Sequence, residues 1–189
     1  STFVRQALMQ LMTEKPFKSI SVRELSERAD INRGTFYIHY RDVSDLLQHL
    51  EDEMAERLIT VCRKYAYTDT AVEAFPYLTE LYRFAQENAD LCQVLLGPNG
   101  DRVYTERICS ILHSYFLRDF VARFYNGDRD RLEYFCCFIV SGNLTLTLQW
   151  LSSGTKETPE EMAQLAGGII MDGVRALRAR RRKQTDKRK

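Results

Sequence analysis

Residues 20–47 read Ile-Ser-Val-Arg-Glu-Leu-Ser-Glu-Arg-Ala-Asp-Ile-Asn-Arg-Gly-Thr-Phe-Tyr-Ile-His-Tyr-Arg-Asp-Val-Ser-Asp-Leu-Leu. Ser21 followed three residues later by Glu24 is a capping box: the hydroxyl accepts from the Glu24 amide, and the carboxylate reaches back. A helix therefore starts here, with Val22, Leu25 and Ala29 on one face. Asp30-Ile-Asn32 breaks the pattern. A second short helix is predicted from near Arg33 to around Tyr40. A 100° step turns Phe36 and Tyr40 inward and leaves Arg33, Thr35, Tyr37, Ile38 and His39 outward or flanking. Two short helices separated by three residues, with one helix before and another after, are the layout of a helix-turn-helix. Such a unit packs its first helices as a platform and offers the last to the major groove. Arg, Thr, Tyr and His on that face suit phosphates and base edges.

Outward from this stretch the chain reads as helix throughout. Phe3, Ala7, Leu8 and Leu11 share one face of a first helix that ends before Pro16. Asp42 or Ser44 caps a long helix bearing Leu46, Leu47, Leu50, Met54, Leu58, Val61 and Tyr65 at i, i+3, i+4 spacing. Beyond a polar break at 67–70, helices are predicted at about 71–88, 90–97, 101–125 and 130–153. Asp90 is the expected N-cap of one, Gly97-Pro98 a stop, and Asn126-Gly127 a turn. Thr158-Pro-Glu-Glu161 opens the last helix with a second capping box and Pro at its first position. With nine Gly and four Pro in 189 residues, little of the chain is available for turns, and no strand pattern competes.

Charge is distributed unevenly. Residues 1–45 carry a net +1, 46–177 a net −7 and 178–189 a net +7. The acidic middle is a poor match for nucleic acid, so DNA contact is expected from an end. For the basic tail, phosphate contact competes with the plainer alternative of a solvated helix end whose charges suit the helix dipole. The five cysteines, Cys62, Cys92, Cys109, Cys136 and Cys137, are odd in number and lack framework spacing. Reduced thiols in a cytoplasmic protein explain them, with Cys136–Cys137 also open to redox sensing. No apolar run approaches the ~20 residues of a membrane span. Neither metal-ligand spacing nor a nucleophile, base and orienting group is present, so neither a metal site, a cofactor nor an enzyme is expected.

The stretch 20–47 resembles the DNA-binding signature of TetR-type regulators, through the Gly34-Thr-Phe-Tyr37 core, Tyr40 three residues on, and Asp45-Leu-Leu47. Residues 138–151 and 153–161 are similar to a C-terminal region common among Firmicute members, through Ser141-Gly142, Gln149-Trp-Leu151 and Thr158-Pro-Glu-Glu161. The resemblance implies an all-α fold of about nine helices: a three-helix DNA-binding domain at 1–45, a larger effector-binding and dimerisation domain at 46–178, and a basic tail at 179–189. It places Arg23, Arg33, Gly34 and Ile38 at base edges, and Ser21, Thr35, Tyr37 and His39 at phosphates. Arg23 also has Glu27 at i+4 as a plain surface partner. Two positions depart from the family. Asp30 stands where the turn usually has Gly, and Asp tolerates a left-handed backbone better than most residues. Val43 stands where a phosphate-binding Lys is usual, which puts the strength of DNA binding in question.

The implied function is a repressor that binds a palindromic double-stranded operator as a homodimer and is released or modulated by a small-molecule effector. A coregulator that keeps the fold without the DNA is the alternative, and Val43 leans toward it. The last two helices are expected to pair with their twofold mates, with Gly142, Gly167, Gly168 and Gly173 permitting close approach. Tyr104, Ile108, Leu112, Tyr115 and Phe116 form an apolar, tyrosine-tipped stripe, and Asn143 and Thr147 lie one turn apart on a later helix. Facing each other they would enclose an effector site; otherwise both stripes pack into a filled core.

Overall fold

The structure, a computed structural model, describes residues 2–65, 75–124 and 129–185, with side chains at 2–64, 76–116 and 130–177. Among the described residues every regular element is helical: α1 (Thr2–Glu14), α2 (Val22–Arg28), α3 (Arg33–His39), α4 (Val43–Tyr65), α5 (Phe75–Glu87), α6 (Ala89–Leu95), α7 (Arg102–Phe124), α8 (Arg129–Ser152) and α9 (Pro159–Thr185). A single 3-10 turn, Phe17–Ser19, precedes α2. The polar break at 67–70, the turn at Asn126-Gly127 and the side chains of the basic tail lie outside the described residues. The backbone of α9 continues to Thr185, into the basic run.

The chain packs as two compact units. The first comprises Ser1–Ile59 and Asn88–Ile108. Its core is Leu8, Leu11 and Met12 of α1, Leu25, Phe36, Leu46, Leu50 and Met54, with Leu95 and Tyr104 from the later segment. Burial of these side chains, each contributing roughly 1.5–3 kcal/mol, is what holds short helices that would not survive alone. In α1 the buried residues are Val4, Ala7, Leu8, Leu11 and Met12, while Phe3 is exposed. Both stripes fit helical spacing; the side that α2 and α6 cover decides between them. The segment 88–108 is tied to α1 through the turn after α6: the Phe17 amide donates to Asn99 O at 3.3 Å, and Asn99 Nδ2 donates to Met12 O at 3.0 Å. Gly97 and Gly100 are obligatory in that turn, because a Cβ at either would overlap the carbonyls of Gln93 or Leu95. Asn88, not Asp90, occupies the N-cap of α6, and its side chain makes no capping bond; Asp90 sits in the first turn instead.

The second unit comprises Thr60–Glu87 and Cys109–Lys189. Here α5 packs on α8 and α9, and α8 on α9, around Leu78, Tyr82, Cys136, Ile139, Trp150, Leu151, Met162, Ile170 and Val174. The second capping box forms as expected: the Thr158 amide donates to Glu161 at 2.7 Å and the Glu161 amide to Thr158 Oγ1 at 3.2 Å. Asp130–Ser152 has the length and mean hydropathy, 1.3, of a membrane-crossing helix, although no continuous apolar run stands out in it. Hydroxyls and amides interrupt the run, and the Phe, Ile, Val, Leu and Cys residues between them keep the mean high. Among the described residues little covers this helix: Tyr134 and Phe138 are 75% and 71% exposed.

Candidate nucleic-acid interface

The connection between α2 and α3 is set by backbone hydrogen bonds. Ser21 caps α2 through the reciprocal bonds expected of its box. At the other end, the Asp30 amide donates to Glu27 O and the Ile31 amide to Ser26 O at 3.0 Å, closing a Schellman-type turn. That turn requires one left-handed residue, and Asp30 takes it with φ 51°. The turn therefore survives the replacement of the usual glycine. Asn32 then caps α3, its side chain accepting from the Gly34 amide at 2.8 Å. This cap was not anticipated from the sequence, although an Asn immediately before a helix is the signal for one.

With both ends fixed, one residue of α3 is buried: Phe36, whose ring meets Tyr37 edge-on at 5.6 Å and Tyr40 at 5.7 Å. The other side faces outward. Arg33, Gly34, Thr35 and His39 are exposed, Tyr37 is 57% exposed and Ile38 77%. All five α3 side chains proposed for DNA, with Gly34, thus lie outside the core on one short helix. Ser21 and Arg23 are also exposed but already engaged. The Ser21 hydroxyl lies 3.0 Å from a Glu24 carboxylate oxygen, and Arg23 is paired with Glu27 at 2.9 Å. Val43 is buried, so it packs as a core residue at the start of α4.

The charges around α3 are mostly paired. Arg28 binds Glu14, Arg41 binds Asp45 and Lys15 binds Glu24. Lys15 and the Ser21 amide hold the Glu24 carboxyl down at about 2. The pairing with Arg41 likewise lowers Asp45. Among the described residues Arg33 has no carboxylate partner. An exposed guanidinium left unpaired beside hydroxyl, phenol and imidazole groups can bind a phosphate or a base edge without breaking an internal ion pair.

The residues proposed for an effector site divide between the units. Tyr104 and Ile108 are buried in the first. In the second, Leu112, Tyr115 and Phe116 are half-buried, and the Tyr115 hydroxyl accepts from Arg63 Nε at 3.3 Å. Asn143 Oδ1 accepts from the Tyr82 hydroxyl at 2.9 Å, its Nδ2 donates to Ile139 O at 3.2 Å, and the Thr147 hydroxyl donates to Asn143 O at 2.8 Å. Tyr82, which no local sequence signal singles out, is the partner that organises this cluster. Burial pushes its phenol up to about 12. A groove of about 460 Å³ lies elsewhere in the unit, lined by Arg131, Tyr134, Phe135, Phe138, Gly173, Ala176 and Leu177. Gly173 serves its own chain there: a Cβ would sit 2.5 Å from the Phe135 ring.

Two family models match the chain in succession. The family model described as bacterial regulatory proteins, tetR family, matches residues 5–50, and that of a transcriptional regulator C-terminal region matches 73–172. Among curated relatives, the HTH-type regulator YuxN of Bacillus subtilis is 24% identical over 93% of the chain and 63% of its own length. YxbF of the same organism is 29% identical over 29% of the chain and 14% of its own length. The chain thus spans less than two thirds of either relative. A TetR transcriptional regulator from Streptococcus agalactiae is similar in fold, with TM-score 0.64, 20% identity and 89% and 92% coverage of the two chains. So is the regulator FadR of Bacillus subtilis, solved in complex with stearoyl-CoA, at TM-score 0.58, 13% identity and 90% and 95% coverage.

Proposed function

The chain belongs to the TetR family of bacterial transcription regulators, and we propose that it represses transcription by docking α3 in the major groove of a palindromic operator as a homodimer. The carrying observation is the outward face of α3. Arg33 is the guanidinium left unpaired there, while Arg23, Arg28 and Arg41 are each neutralised by a carboxylate. Arg33, Gly34 and Ile38 are assigned to base edges; Thr35, Tyr37 and His39 are assigned to phosphates. Ser21 and Arg23 join them by exchanging their present partners for the duplex. Gly34 supports the reading independently. A Cβ there would meet only Asn32 Oδ1, at 3.4 Å, so the fold does not require the missing side chain. A close approach from outside does.

The homodimer is proposed through α8 and α9. Tyr134, Phe138, Leu165 and Ile169 form exposed apolar surface, and Gly142 and Gly168 have nothing within 4 Å of a built Cβ. Glycine inside a helix costs about 1 kcal/mol relative to alanine, a cost that close contact with a second copy would offset. That second copy also gives the apolar length of α8 a cover other than a membrane, which fits a cytoplasmic protein. We propose that a small-molecule effector binds in the second unit, against Leu112, Tyr115 and Phe116 with Asn143 and Thr147 as polar anchors. A similar fold solved with stearoyl-CoA supports a ligand-responsive unit, without indicating the ligand. The effector would act through α4, which begins in the reading unit and ends in the effector unit. Half-sites one turn apart lie about 34–36 Å from each other, so a shift of a few Å would spoil joint docking.

The test is a salt titration of duplex affinity. Tyr37→Ala is expected to weaken operator and non-specific duplex alike, with a shallower salt slope. Arg33→Ala is expected to cost about 1–3 kcal/mol, mainly at one base pair. Parental affinity in both variants would remove α3 from the interface.

A further inference from the structure

Glu51 projects from α4 inside the first unit and is 5% exposed. Among the described residues its Oε1 has no hydrogen-bond partner, and neither has the hydroxyl of Tyr104, 2% exposed, on α7. The two groups belong to one cluster drawn from several elements. Asp101 and Asp52 oppose the Glu51 charge, and Arg107 favours it. That guanidinium, however, already bonds Asp52 at 2.5 Å. On the far side Tyr104 senses Glu51, Asp52, Arg107 and the Cys92 thiol of α6, and Cys92 in turn senses Arg57. Burial pushes Cys92 up to about 12 and raises Tyr104 as well, so both are neutral across the physiological range.

A buried carboxylate lacking its own cation is unfavourable, and such a group neutralises instead. Glu51 follows this rule: burial first, then Asp101, push it up to about 7.

We propose that Glu51 is a proton-operated latch: in its neutral form it lets residues 88–108 pack on α1 and α4, and its ionisation loosens that packing. The other contacts holding the segment, the Asn99 bonds to Met12 and Phe17 and the Arg107–Asp52 pair, need no proton to form near neutral pH. The packed state holds a proton that an exposed glutamate would have released near 4.5. Packing is therefore fully favoured below about 4.5 and weakens as pH rises to and through about 7, where half of the buried charge has formed, levelling off above it. Because α1 packs on α2, and α2 on α3, the loosening reaches the helices of the proposed reading face.

The test uses the full chain without DNA, so its outcome is independent of the DNA-binding proposal. The side-chain carboxyl carbon of Glu51 is titrated by NMR, with Glu51→Gln supplying the assignment. Hydrogen exchange of 88–108, corrected for intrinsic rates, is followed from pH 5 to 8. The expected result is a midpoint near neutrality. Protection of 88–108 should fall by about tenfold or more over the same range in the parent and stay flat in Glu51→Gln. Tyr104→Phe should keep its protection at pH 5, because the lost hydroxyl bonds nothing. An ordinary carboxyl midpoint for Glu51, or the same pH profile in parent and Glu51→Gln, would overturn the latch. A loss of protection at pH 5 in Tyr104→Phe would remove the orphaned pair on which it stands.

Discussion

The exposed apolar side chains of α3 and those of α8 and α9 differ in what surrounds them. On α3, Tyr37 and Ile38 stand beside an unpaired Arg33, Thr35 and His39 on a helix of seven residues. On α8 and α9, helices of 24 and 27 residues, Tyr134, Phe138, Leu165 and Ile169 stand beside Ser141, Thr145 and two glycines open to space. Exposed apolar area alone would assign both to the same kind of partner. The company it keeps separates them. A cation with hydrogen-bonding tips matches a polyanion with readable edges. A long face with hydroxyls and small gaps, lacking a dense charge, matches another helix pair.

The largest expected effect tests the second surface. Ile169→Glu is tolerated by the isolated chain, since Ile169 is 52% exposed. In a twofold interface it would bury an unpaired carboxylate on each copy, at about 3–5 kcal/mol apiece. Sedimentation at micromolar concentration should then report a monomer with parental helicity, against a dimeric parent. Unchanged dimer mass would show that α8 and α9 face something other than their mates.

A smaller effect sharpens the first surface. Gly34→Ala should raise thermal stability by up to about 1 kcal/mol from helix propensity while lowering affinity for duplex DNA. Stability and binding moving in opposite directions would locate the demand for glycine outside the chain. If both fall together, the glycine serves the fold.

The smallest expected effect concerns the start of the reading head. Lys15 and Ser21 hold the Glu24 carboxyl down at about 2, so its stabilising contribution is present above about 4.5 and is lost as pH falls toward 2. Glu24→Gln should unfold at a slightly lower temperature than the parent at neutral pH. The gap should close between pH 4.5 and 2. A gap that stays constant to pH 2 would mean that the ion pair contributes nothing.

The sequence was most informative where a local signal has one structural solution. Ser21 with Glu24, and Thr158 with Glu161, mark helix starts because only a capping geometry satisfies both partners. Phe36 reads as inward because it is the large apolar residue opposite a polar face. The α2–α3 turn was legible even through an unusual residue, since Asp30 is among the side chains that accept a left-handed backbone. Information ran out where tertiary neighbours decide. Phe3 and Val4 fit helical spacing equally well, and packing chose Val4. Nothing local says that 88–108 packs with α1 and α4, or that Glu51, one carboxylate among four in Glu51–Glu56, is the buried one. Asn143 reads as a polar residue on an apolar helix. Its partner Tyr82 lies 61 positions away, beyond any local pattern.

The central claim, that α3 reads DNA from a twofold pair of heads, is tested most directly by selecting bound duplexes from a random pool with the parent protein and with Arg33→Ala. The parent is expected to enrich an inverted repeat, and Arg33→Ala to lose preference at one symmetry-related base pair in each half while keeping the spacing. Enrichment of no common sequence, or an identical motif from both proteins, would contradict it.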